Sequence, residues 1–441
     1  MPFKDHDPAR PIAYLAYRAL TTSVFAAAVA PLWLYAKASG RGGDLTHRLG
    51  RYPPSLFAGM PADRRIWLHA ASVGEVSVAA AIIDALAHAL PGWALILSTT
   101  TEQGQAVARE TLAHRATCLY APVDFIGAVN HALGVVRPRV LACIETEIWP
   151  NWLMAARRRG VRTALVNGRV SIRSIGGYLR IRPLMRAVLA GVDAFSMISD
   201  EDAQRVRRIG APLDRIVVNG NAKFDRLAHA VDPAIRAAMQ RLFCVPDGGP
   251  VFVAGSTRGD EPAMMIEAFR GIRQRFGDAL MIIAPRHLER VRAIAERLRA
   301  QGLAYHFRTE LDAGGNGRRA PVVILDTVGE LSAAYSIADV VFCGGSLVPL
   351  GGQNVLEAAV WGKPVFYGPS MEDFADARQL LERSGGGVRV ENAADLARAI
   401  IDCLTVPGRA EAMGRAAAAT VPIATGAARK HAAVIRRLAL D

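Results

Sequence analysis

Short apolar segments alternate with helical segments along most of the chain, and this alternation restricts the possible folds more than any other feature. In the first half, the predicted strands are Ile66–Ala70, Ala94–Ser98, Thr117–Tyr120, Val140–Ile144, Arg162–Val166 and Ala194–Ile198. Strands that are apolar on both faces and separated by helices are typical of a parallel sheet that helices cover on both sides. The sequence therefore predicts a doubly wound α/β fold.

The chain has 441 residues, which is too long for one ordinary hydrophobic core. The segment "VVNGNAKFDRLAHAVDP" interrupts the alternation, and a second series of strands begins with "VFVAGS". We therefore predict two Rossmann-like halves, residues 41–222 and 249–441, joined by a linker over residues 223–248. Ligands of such sheets bind beyond the carboxyl ends of the strands, which predicts a site in a central cleft between the halves.

The charge balance points to an anionic partner. Lysine and arginine give the chain a formal net charge of +13, which favours nucleic acid, an anionic membrane surface or a phosphorylated substrate. The basic residues do not form the run with interleaved aromatic side chains that is typical of a nucleic-acid groove, so we predict no nucleic-acid partner. The five cysteines include no CxxC pair and the ten histidines do not cluster, so we predict no metal site.

Residues 1–40 differ in character from the rest and are predicted to form a membrane-anchor helix. Between Pro11 and Lys37 the sequence has one charged residue, Arg18. The uncharged stretch is barely long enough for one membrane span, and Pro31 interrupts it. Three alternatives stay open: a single span, a helix that lies in the membrane interface, and a helix packed wholly on the protein.

Two glycine-containing loops in the second half are candidates for binding a nucleotide. The segments "AGSTRGDE" and "GGSLVPLGGQN" each follow a predicted strand and precede a predicted helix. Backbone N–H groups at such places bind phosphate, and Glu357 in the following helix is positioned for ribose hydroxyls. Either loop alone could be a structural turn, whereas both together favour a nucleotide site. The chain lacks GxGxxG after its first strand, GxxxxGK[ST] and GxSxG, which argues against a dehydrogenase, a P-loop NTPase and an α/β-hydrolase.

Charged side chains also follow the strands of the first half. Glu75 opens a helix after the first strand, Glu145 and Glu147 lie in "CIETEIWPN", and Arg169 lies in "VNGRVSIRS". A carboxylate at the end of a strand can serve as a base toward an acceptor. Each of these residues could instead cap a helix or form an ion pair, and Glu75 could simply complement the helix dipole.

Nine motifs in one consistent order resemble the Kdo transferases, the 3-deoxy-D-manno-octulosonic acid transferases of lipopolysaccharide synthesis. They are "LHAASVGEV", "ETEIWPN", "NGRVSIRS", "GNAKFD", "AGSTRGDE", "APRH", "DTVGEL", "GGSLVPLGGQNVLEAA" and "GKPVFYGP". The resemblance implies a glycosyltransferase-B fold with an acceptor-binding first domain and a donor-binding second domain. It also implies CMP-Kdo as donor, a lipid A precursor (lipid IVA) as acceptor, no metal or cofactor, and a location at the cytoplasmic face of the inner membrane.

The resemblance further implies roles for individual residues. Glu75 is expected to be the general base and Glu145 a supporting carboxylate. Two groups of residues are expected to bind the donor. Glu357 is expected at the ribose, Arg286 along the nucleotide, and Arg169 and Lys223 at the Kdo carboxylate. The residues expected at the phosphate are Ser256, Gly344, Gly345, Ser346 and Asn354, with Thr257 beside them. The residues expected to meet the acceptor and anionic lipid are Arg41, Arg48, Arg51, Ser72 and Gly74.

The chain departs from the family pattern in its candidate donor and cleft loops. The departures are Arg258, Gln353 and Ser370 where the family usually has His, Val355 where it has Pro, and Asp373 where it has Asn. These departures leave open a related glycosyltransferase-B enzyme that uses another nucleotide sugar. The basic charge leaves open a second alternative, a non-catalytic protein that binds anionic membranes through its basic face.

Overall fold

The computed structural model describes residues 9–38, 42–229, 231–245, 248–311 and 317–441. The chain forms two compact units. The first consists of the described residues up to Asp225 together with Gly426–Asp441, and the second of those in Arg226–Thr425. Each unit contains one seven-stranded sheet in which all paired strands are parallel. The predicted α/β class is thereby confirmed.

The first sheet is built from strands that are mostly buried on both faces. They are Arg65–His69 (β1), Ala94–Thr99 (β2), Thr117–Tyr120 (β3), Val140–Ile144 (β4), Arg162–Gly168 (β5), Ala194–Met197 (β6) and Ile216–Val218 (β7). Their spatial order is β3-β2-β1-β4-β5-β6-β7, with Trp67 of β1 opposite Ile96 of β2 and Leu141 of β4. The direction of winding reverses between β1 and β4, so the loops that follow these two strands border one crevice.

The six strands predicted for this half are confirmed to within two residues at either end. The edge strand β7 was missed although its sequence, Ile-Val-Val, is apolar. It has only three residues, which is shorter than the runs of roughly four to eight residues that indicate a strand.

Among the described residues, nine α-helices of the first unit come before the second unit in the chain. They are Ala9–Ala38 (α1), Gly42–Arg48 (α2), Val73–Ala89 (α3), Glu102–Leu112 (α4), Ile126–Val136 (α5), Pro150–Arg158 (α6), Ile172–Arg180 (α7), Arg182–Leu189 (α8) and Asp200–Ile209 (α9).

The start of α9 shows why such helices begin where they do. The Ser199 hydroxyl accepts a hydrogen bond from the backbone N–H of Asp202 (3.1 Å) and donates one to its carboxylate (2.7 Å), which satisfies a free helical N–H group.

The second unit repeats the same architecture. Its strands are Val251–Thr257 (β8), Leu280–Pro285 (β9), Tyr305–Phe307 (β10), Val322–Ile324 (β11), Val340–Cys343 (β12), Val365–Tyr367 (β13) and Gly387–Arg389 (β14). Its helices are Pro233–Leu242 (α10), Glu261–Arg275 (α11), Val291–Ala300 (α12), Leu331–Tyr335 (α13), Leu356–Ala359 (α14), Ala375–Ser384 (α15), Ala393–Thr405 (α16) and Arg409–Ala424 (α17). The strand order is β10-β11-β9-β8-β12-β13-β14, so here the winding reverses between β8 and β12.

The N-terminal helix α1 packs one face on the first unit. Tyr14 is buried there, the Tyr17 hydroxyl donates a hydrogen bond to the Asp124 carboxylate (2.8 Å), and the Asn151 side chain donates one to Thr21 (3.1 Å). The large apolar residues that α1 leaves exposed are Ile12, Leu15, Leu20, Val24 and Trp33. Within the described residues, no helix is both long enough and apolar enough to cross a membrane. This finding does not agree with the single-span alternative.

The C-terminal helix corrects the predicted domain assignment. The sequence placed residues 249–441 in the second domain, but Ala427–Leu440 (α18) packs on α3 and β5 in the first unit. The Asp225 carboxylate accepts hydrogen bonds from the first N–H groups of α18, at 3.2 Å from Ala427 and 2.7 Å from Ala428. An amphipathic pattern shows that a helix covers a sheet, but it does not show which of two sheets the helix covers.

Truncation of a core side chain in α18 tests this packing. Ile435 is fully buried in the core of the first unit, so Ile435→Ala is expected to lower the free energy of unfolding of that unit by about 2–5 kcal/mol. Urea unfolding followed by tryptophan fluorescence reports mainly on this unit, since Trp361 is the one tryptophan of six that lies outside it.

Arg436→Ala is the matched control on the same helix. Arg436 is exposed, and the expected change is within about 0.5 kcal/mol. A destabilisation by Ile435→Ala that appears only in the transition of the second unit would contradict the assignment of α18.

Candidate active site

Three carboxylates meet where the loops after β1 and β4 border one crevice in the first unit. Glu75 follows β1, whereas Glu145 and Glu147 follow β4. The charges of Glu147 and Glu145 both raise the pKa of Glu75, which places the three within electrostatic range of one another. The structure thus places the two carboxylates that the family resemblance assigned to the reaction near each other, together with Glu147 of the same motif.

Glu75 lies in the first turn of α3, where its side chain folds back over the start of the helix. One carboxylate oxygen accepts a hydrogen bond from the backbone N–H of Ala71 (2.8 Å), and the other accepts one from the hydroxyl of Ser72 (2.9 Å). Ser72 is the N-cap residue and has an extended backbone. A glutamate at this position that reaches back to an N–H group is typical of helix starts. These contacts also fix the direction in which the carboxylate points.

Burial decides the acidity of Glu75. Removal from water raises its pKa, and the charges of Glu147 and Glu145 add to that effect. The hydrogen bonds from Ala71 and Ser72 stabilise the ionised form and oppose the rise, but they do not cancel it. The pKa of Glu75 is therefore above its ordinary value, so desolvation outweighs the stabilisation that a helix start provides.

Glu145 differs from Glu75 because it has a cation beside it. Its carboxylate oxygen Oε1 lies 2.7 Å from Nζ of Lys223, which belongs to the segment after β7. Lys223 was expected to bind the donor sugar, and the structure instead shows it first as the partner of Glu145. The ion pair ties two loops of the first unit together at the carboxyl end of its sheet.

The sequence names Glu147 among the strand-end carboxylates, two residues from Glu145, but the family resemblance gives it no role. Its Oε2 accepts a hydrogen bond from the indole N–H of Trp149 (2.7 Å) and lies 3.4 Å from Nε2 of the fully buried His69. Burial alone would raise the pKa of Glu147, but the contacts with His69 and Trp149 outweigh burial and lower it. A second carboxylate beside the first in "ETE" was the available signal.

Three residues at or near the carboxyl ends of strands have a strained backbone. Glu145, Asn167 and Ser256 have left-handed φ angles of 58°, 50° and 53°. Such conformations cost energy in residues other than glycine and are concentrated at functional sites. Asn167 is held there by its side chain, which accepts a hydrogen bond from the backbone N–H of Ala222 (2.8 Å).

The glycine loop after β12 in the second unit does not offer free phosphate donors. The fully buried Glu261, in the first turn of α11, occupies them. One of its oxygens accepts from the backbone N–H groups of Arg258 (2.8 Å) and Gly345 (2.6 Å), and the other from those of Ser346 (2.8 Å) and Leu347 (2.9 Å). The phosphate-binding role expected of Gly345 and Ser346 through these groups is thus not available in this conformation.

Other contacts make the same loop a tightly packed turn. A side chain at Gly344 would bring Cβ to 2.4 Å from the backbone oxygen of Ser256. The Ser346 hydroxyl donates to the backbone oxygen of Cys343 (2.5 Å) and accepts from the N–H of Gly368 (2.9 Å). Thr257 is buried as well, with its hydroxyl 3.5 Å from the backbone oxygen of Ala284. The glycines are therefore needed for packing, as the structural-turn alternative supposed.

Asn354, Glu357 and Arg286 form a second polar group in this unit. The Asn354 side chain accepts a hydrogen bond from the backbone N–H of Leu356 (3.1 Å) and donates one to the Glu357 carboxylate (3.3 Å). Burial raises the pKa of Glu357, while the bond from Asn354 and the charge of Arg286 lower it in part. Arg286 is exposed. The structure thus brings together three residues that the sequence assigned to the nucleotide.

Two of the departures from the family pattern lie against the Gly351 turn of the same unit. The Ser370 hydroxyl accepts a hydrogen bond from the backbone N–H of Gly351 (2.9 Å) and donates one to Glu372 (2.8 Å). The backbone N–H of Asp373 donates to the backbone oxygen of Gly351 (3.0 Å). The Ser370 hydroxyl therefore contributes to the shape of the loop that leads to Asn354, whereas the backbone contact of Asp373 does not depend on its side chain.

The basic residues assigned to the acceptor have different surroundings. The Arg48 guanidinium donates a hydrogen bond to the backbone oxygen of Thr100 (2.7 Å) and lies over the ring of Tyr120, so it is committed to the protein. Arg51 is exposed, and Arg169 is partly buried. Arg41 lies outside the described residues.

Comparison with known proteins identifies relatives along nearly the whole chain. Residues 43–226 match the family model of 3-deoxy-D-manno-octulosonic-acid transferase (kdotransferase). The chain is 33% identical to the 3-deoxy-D-manno-octulosonic acid transferase of Bordetella pertussis, over 90% of this chain and 94% of that protein. It is 27% identical to the protein of the same name from Haemophilus influenzae, over 81% of this chain and 83% of that protein.

A solved structure provides the fold comparison. The crystal structure of a glycosyltransferase from Rickettsia africae covers 86% of this chain and 98% of its own, with a TM-score of 0.60 and 14% sequence identity. Together with the two parallel sheets, this similarity confirms the predicted glycosyltransferase-B fold.

The raised pKa of Glu75 predicts a pH-dependent stability difference. A carboxyl whose pKa is raised by folding contributes stability that is complete at low pH and is lost as the pH rises through the folded-state pKa. Glutamine can accept from Ala71 and donate to Ser72 without carrying a charge. Glu75→Gln is therefore expected to be more stable than wild type at about pH 7.5, with the difference decreasing toward about pH 4.

Urea unfolding of the first unit across this pH range measures the difference. Glu110→Gln removes an exposed carboxylate from the neighbouring helix α4 and is the matched control. A Glu75→Gln variant whose relative stability falls as the pH rises would contradict the assignment of burial as the dominant cause.

Proposed function

This chain belongs to the family of 3-deoxy-D-manno-octulosonic acid (Kdo) transferases, and we propose that it moves Kdo from CMP-Kdo to the primary hydroxyl of a lipid A precursor, lipid IVA. Family membership makes it a glycosyltransferase. The observation that carries the residue assignment is the partly exposed carboxylate of Glu75, which has a raised pKa and lies where the winding of the first sheet reverses.

Glu75 is the general base of the proposed reaction. The acceptor hydroxyl oxygen attacks the anomeric carbon of Kdo, and its proton passes to the Glu75 carboxylate. The bond from that carbon to the phosphate oxygen breaks with its electron pair, and CMP leaves as a phosphate monoester. Attack from the face opposite the leaving group inverts the configuration. A base with a raised pKa is better matched to this proton transfer near neutral pH than an ordinary carboxylate.

Lys223 and Arg169 bind the Kdo carboxylate in this proposal. The ammonium group of Lys223 has three N–H donors and lies 2.7 Å from Oε1 of Glu145. Glu145 is then a positioning residue, because it holds Lys223 at the strand ends of the first unit. This role agrees with the supporting function that the family resemblance implies.

The nucleotide is bound by residues of the second unit. We assign Arg286 to the phosphate side of CMP and Glu357 to the ribose hydroxyls, with Asn354 and Ser256 at the phosphate. Arg286 is exposed and acts electrostatically on Glu357, which supports a shared ligand. Gly344, Gly345 and Ser346 contribute through the shape of their loop, with Thr257 packed beneath it. Positive side chains supply the charge that the leaving phosphate needs, and the proposal includes no metal or cofactor.

The cytoplasmic face of the inner membrane is the proposed location. Helix α1 packs one face on the first unit and leaves several large apolar side chains exposed on the other. A helix of this kind can lie in a membrane interface, where the exposed Arg51 would meet anionic headgroups or acceptor phosphates. Ser72 and Gly74, beside Glu75, are proposed to border the acceptor hydroxyl.

Direct turnover tests the proposed function. Wild-type protein given CMP-Kdo and a tetraacylated lipid A precursor is expected to form a product whose mass increases by one or more Kdo units, with no effect of EDTA. Glu75→Gln is expected to lower kcat by about 10²–10⁴-fold because the general base is lost. The exposed Glu110→Gln serves as the matched control and should retain full turnover.

The contrary outcomes are distinct from one another. Turnover with UDP-sugars but not with CMP-Kdo would show that the enzyme transfers a sugar other than Kdo. Loss of turnover in EDTA that Mg²⁺ restores would contradict the metal-free mechanism. Binding to anionic vesicles without turnover on any nucleotide sugar would favour the non-catalytic alternative.

Gly74 tests the path of the acceptor. An added Cβ would contact only the Ser72 hydroxyl, at 3.9 Å, and alanine is about 1 kcal/mol more favourable than glycine in a helix. Gly74→Ala is therefore expected to keep or raise the melting temperature while it raises KM for the lipid acceptor, because the methyl group occupies space beside Glu75.

Gly277→Ala is the control, since Gly277 is exposed with no neighbour within 4 Å of an added Cβ and lies before β9, away from the strand ends. An unchanged acceptor KM in Gly74→Ala would remove Gly74 from the acceptor path.

A further inference from the structure

We propose that Glu261 is a positioning residue for the donor site, and that its carboxylate is the acceptor group around which the glycine loop after β12 is built. This inference rests on the proposed function, since the donor is taken to bind at the carboxyl ends of the strands in the second unit. It assigns a role to a residue that does not itself touch the nucleotide.

Both carboxylate oxygens of Glu261 accept hydrogen bonds from backbone N–H groups. Each oxygen accepts two hydrogen bonds, at distances between 2.6 and 2.9 Å, and the side chain is 0% exposed. Three of the four donors are consecutive residues, Gly345, Ser346 and Leu347. Consecutive N–H groups that converge on one point, with a left-handed glycine among them, form an anion-binding nest.

A buried carboxylate is costly unless hydrogen bonds replace its hydration, and a buried N–H group is costly unless it has an acceptor. In the second unit these two requirements satisfy each other. Glu261 opens the helix after β8 and binds the N–H group of Arg258 in the loop before that helix, whereas the three consecutive donors lie in the loop after β12. The winding reverses between β8 and β12. The carboxylate therefore joins the two loops that border the crevice of this sheet.

Backbone hydrogen bonds extend this arrangement to the proposed donor residues. The backbone oxygen of Gly345 accepts from the N–H of Gly352 (2.8 Å), and the backbone oxygen of Ser346 accepts from the N–H of Ser370 (3.0 Å). Gly352 lies two residues before Asn354, which in turn contacts Glu357. The position of Asn354 and Glu357 thus depends on a loop that is organised around the Glu261 carboxylate.

The chemistry of the nest makes glutamine a poor replacement. A glutamine side chain has one acceptor oxygen, and its NH₂ group would face two N–H donors. Glu261→Gln is therefore expected to disturb the loop about as much as Glu261→Ala, although it keeps the volume. Only Glu261→Ala leaves an empty nest, which a small carboxylate from solution can enter.

CMP binding to the full chain, measured by calorimetry, and kinetics with CMP-Kdo test the proposal. Both variants are expected to raise the Kd for CMP and the KM for CMP-Kdo by about tenfold or more, with a smaller change in the KM for the lipid acceptor. Added formate or acetate should recover CMP affinity in Glu261→Ala, but not in Glu261→Gln, relative to chloride at equal concentration. Glu267→Ala, at an exposed position of the same helix, should behave as wild type.

The following results would contradict the proposal. CMP affinity in Glu261→Ala equal to wild type, or an equal response of both variants to acetate, would overturn the role of Glu261 alone. If Glu261→Ala does not fold, an unchanged Kd in Glu261→Gln overturns it in the same way. A wild-type chain that binds no CMP would overturn the proposed function, and the donor role of Glu261 with it.

Discussion

A carboxylate that leaves water must find hydrogen-bond donors, and this requirement shapes the loops at the reversal point of each sheet. Each unit has a glutamate in the first turn of the helix that follows its first strand, Glu75 in α3 and Glu261 in α11. Glu261 binds four backbone N–H groups and is fully buried, whereas Glu75 has one N–H group and one hydroxyl and stays partly exposed. One position in the fold therefore yields a structural anion in one unit and a candidate base in the other, because the number of donors differs.

The three carboxylates of the first unit show the same physics at close range. Glu147 has His69 and Trp149 beside it, and their contacts lower its pKa, whereas Glu145 lies beside Lys223. Among the described residues, no cation forms a hydrogen bond or ion pair with Glu75, and the two other carboxylates raise its pKa further. Opposing environments of this kind separate the roles of neighbouring acidic groups, and they single out Glu75 as the group suited to accept a proton.

The two terminal helices show where sequence periodicity stops being informative. The sequence correctly indicated a helix at the N-terminus and left its packing open, and the structure shows one face held by hydrogen bonds to Asp124 and from Asn151. For α18 the assignment to the second domain was wrong, since Asp225 and the core of the first unit hold it. An apolar face requires a partner surface, but the chain can reach more than one such surface.

The sequence by itself determined the class of fold, the strands of the first sheet except β7, and the family, because these depend on apolar periodicity and on motifs that are local in the chain. It also indicated Glu75 and Glu145 as the carboxylates at the strand ends. Only the tertiary structure decided that Lys223 pairs with Glu145, that His69 and Trp149 contact Glu147, and that Glu261 occupies the N–H groups expected to bind phosphate. These outcomes depend on contacts between residues far apart in the chain, and hydrogen-bond donors and charges are matched only once the strands have been ordered in space.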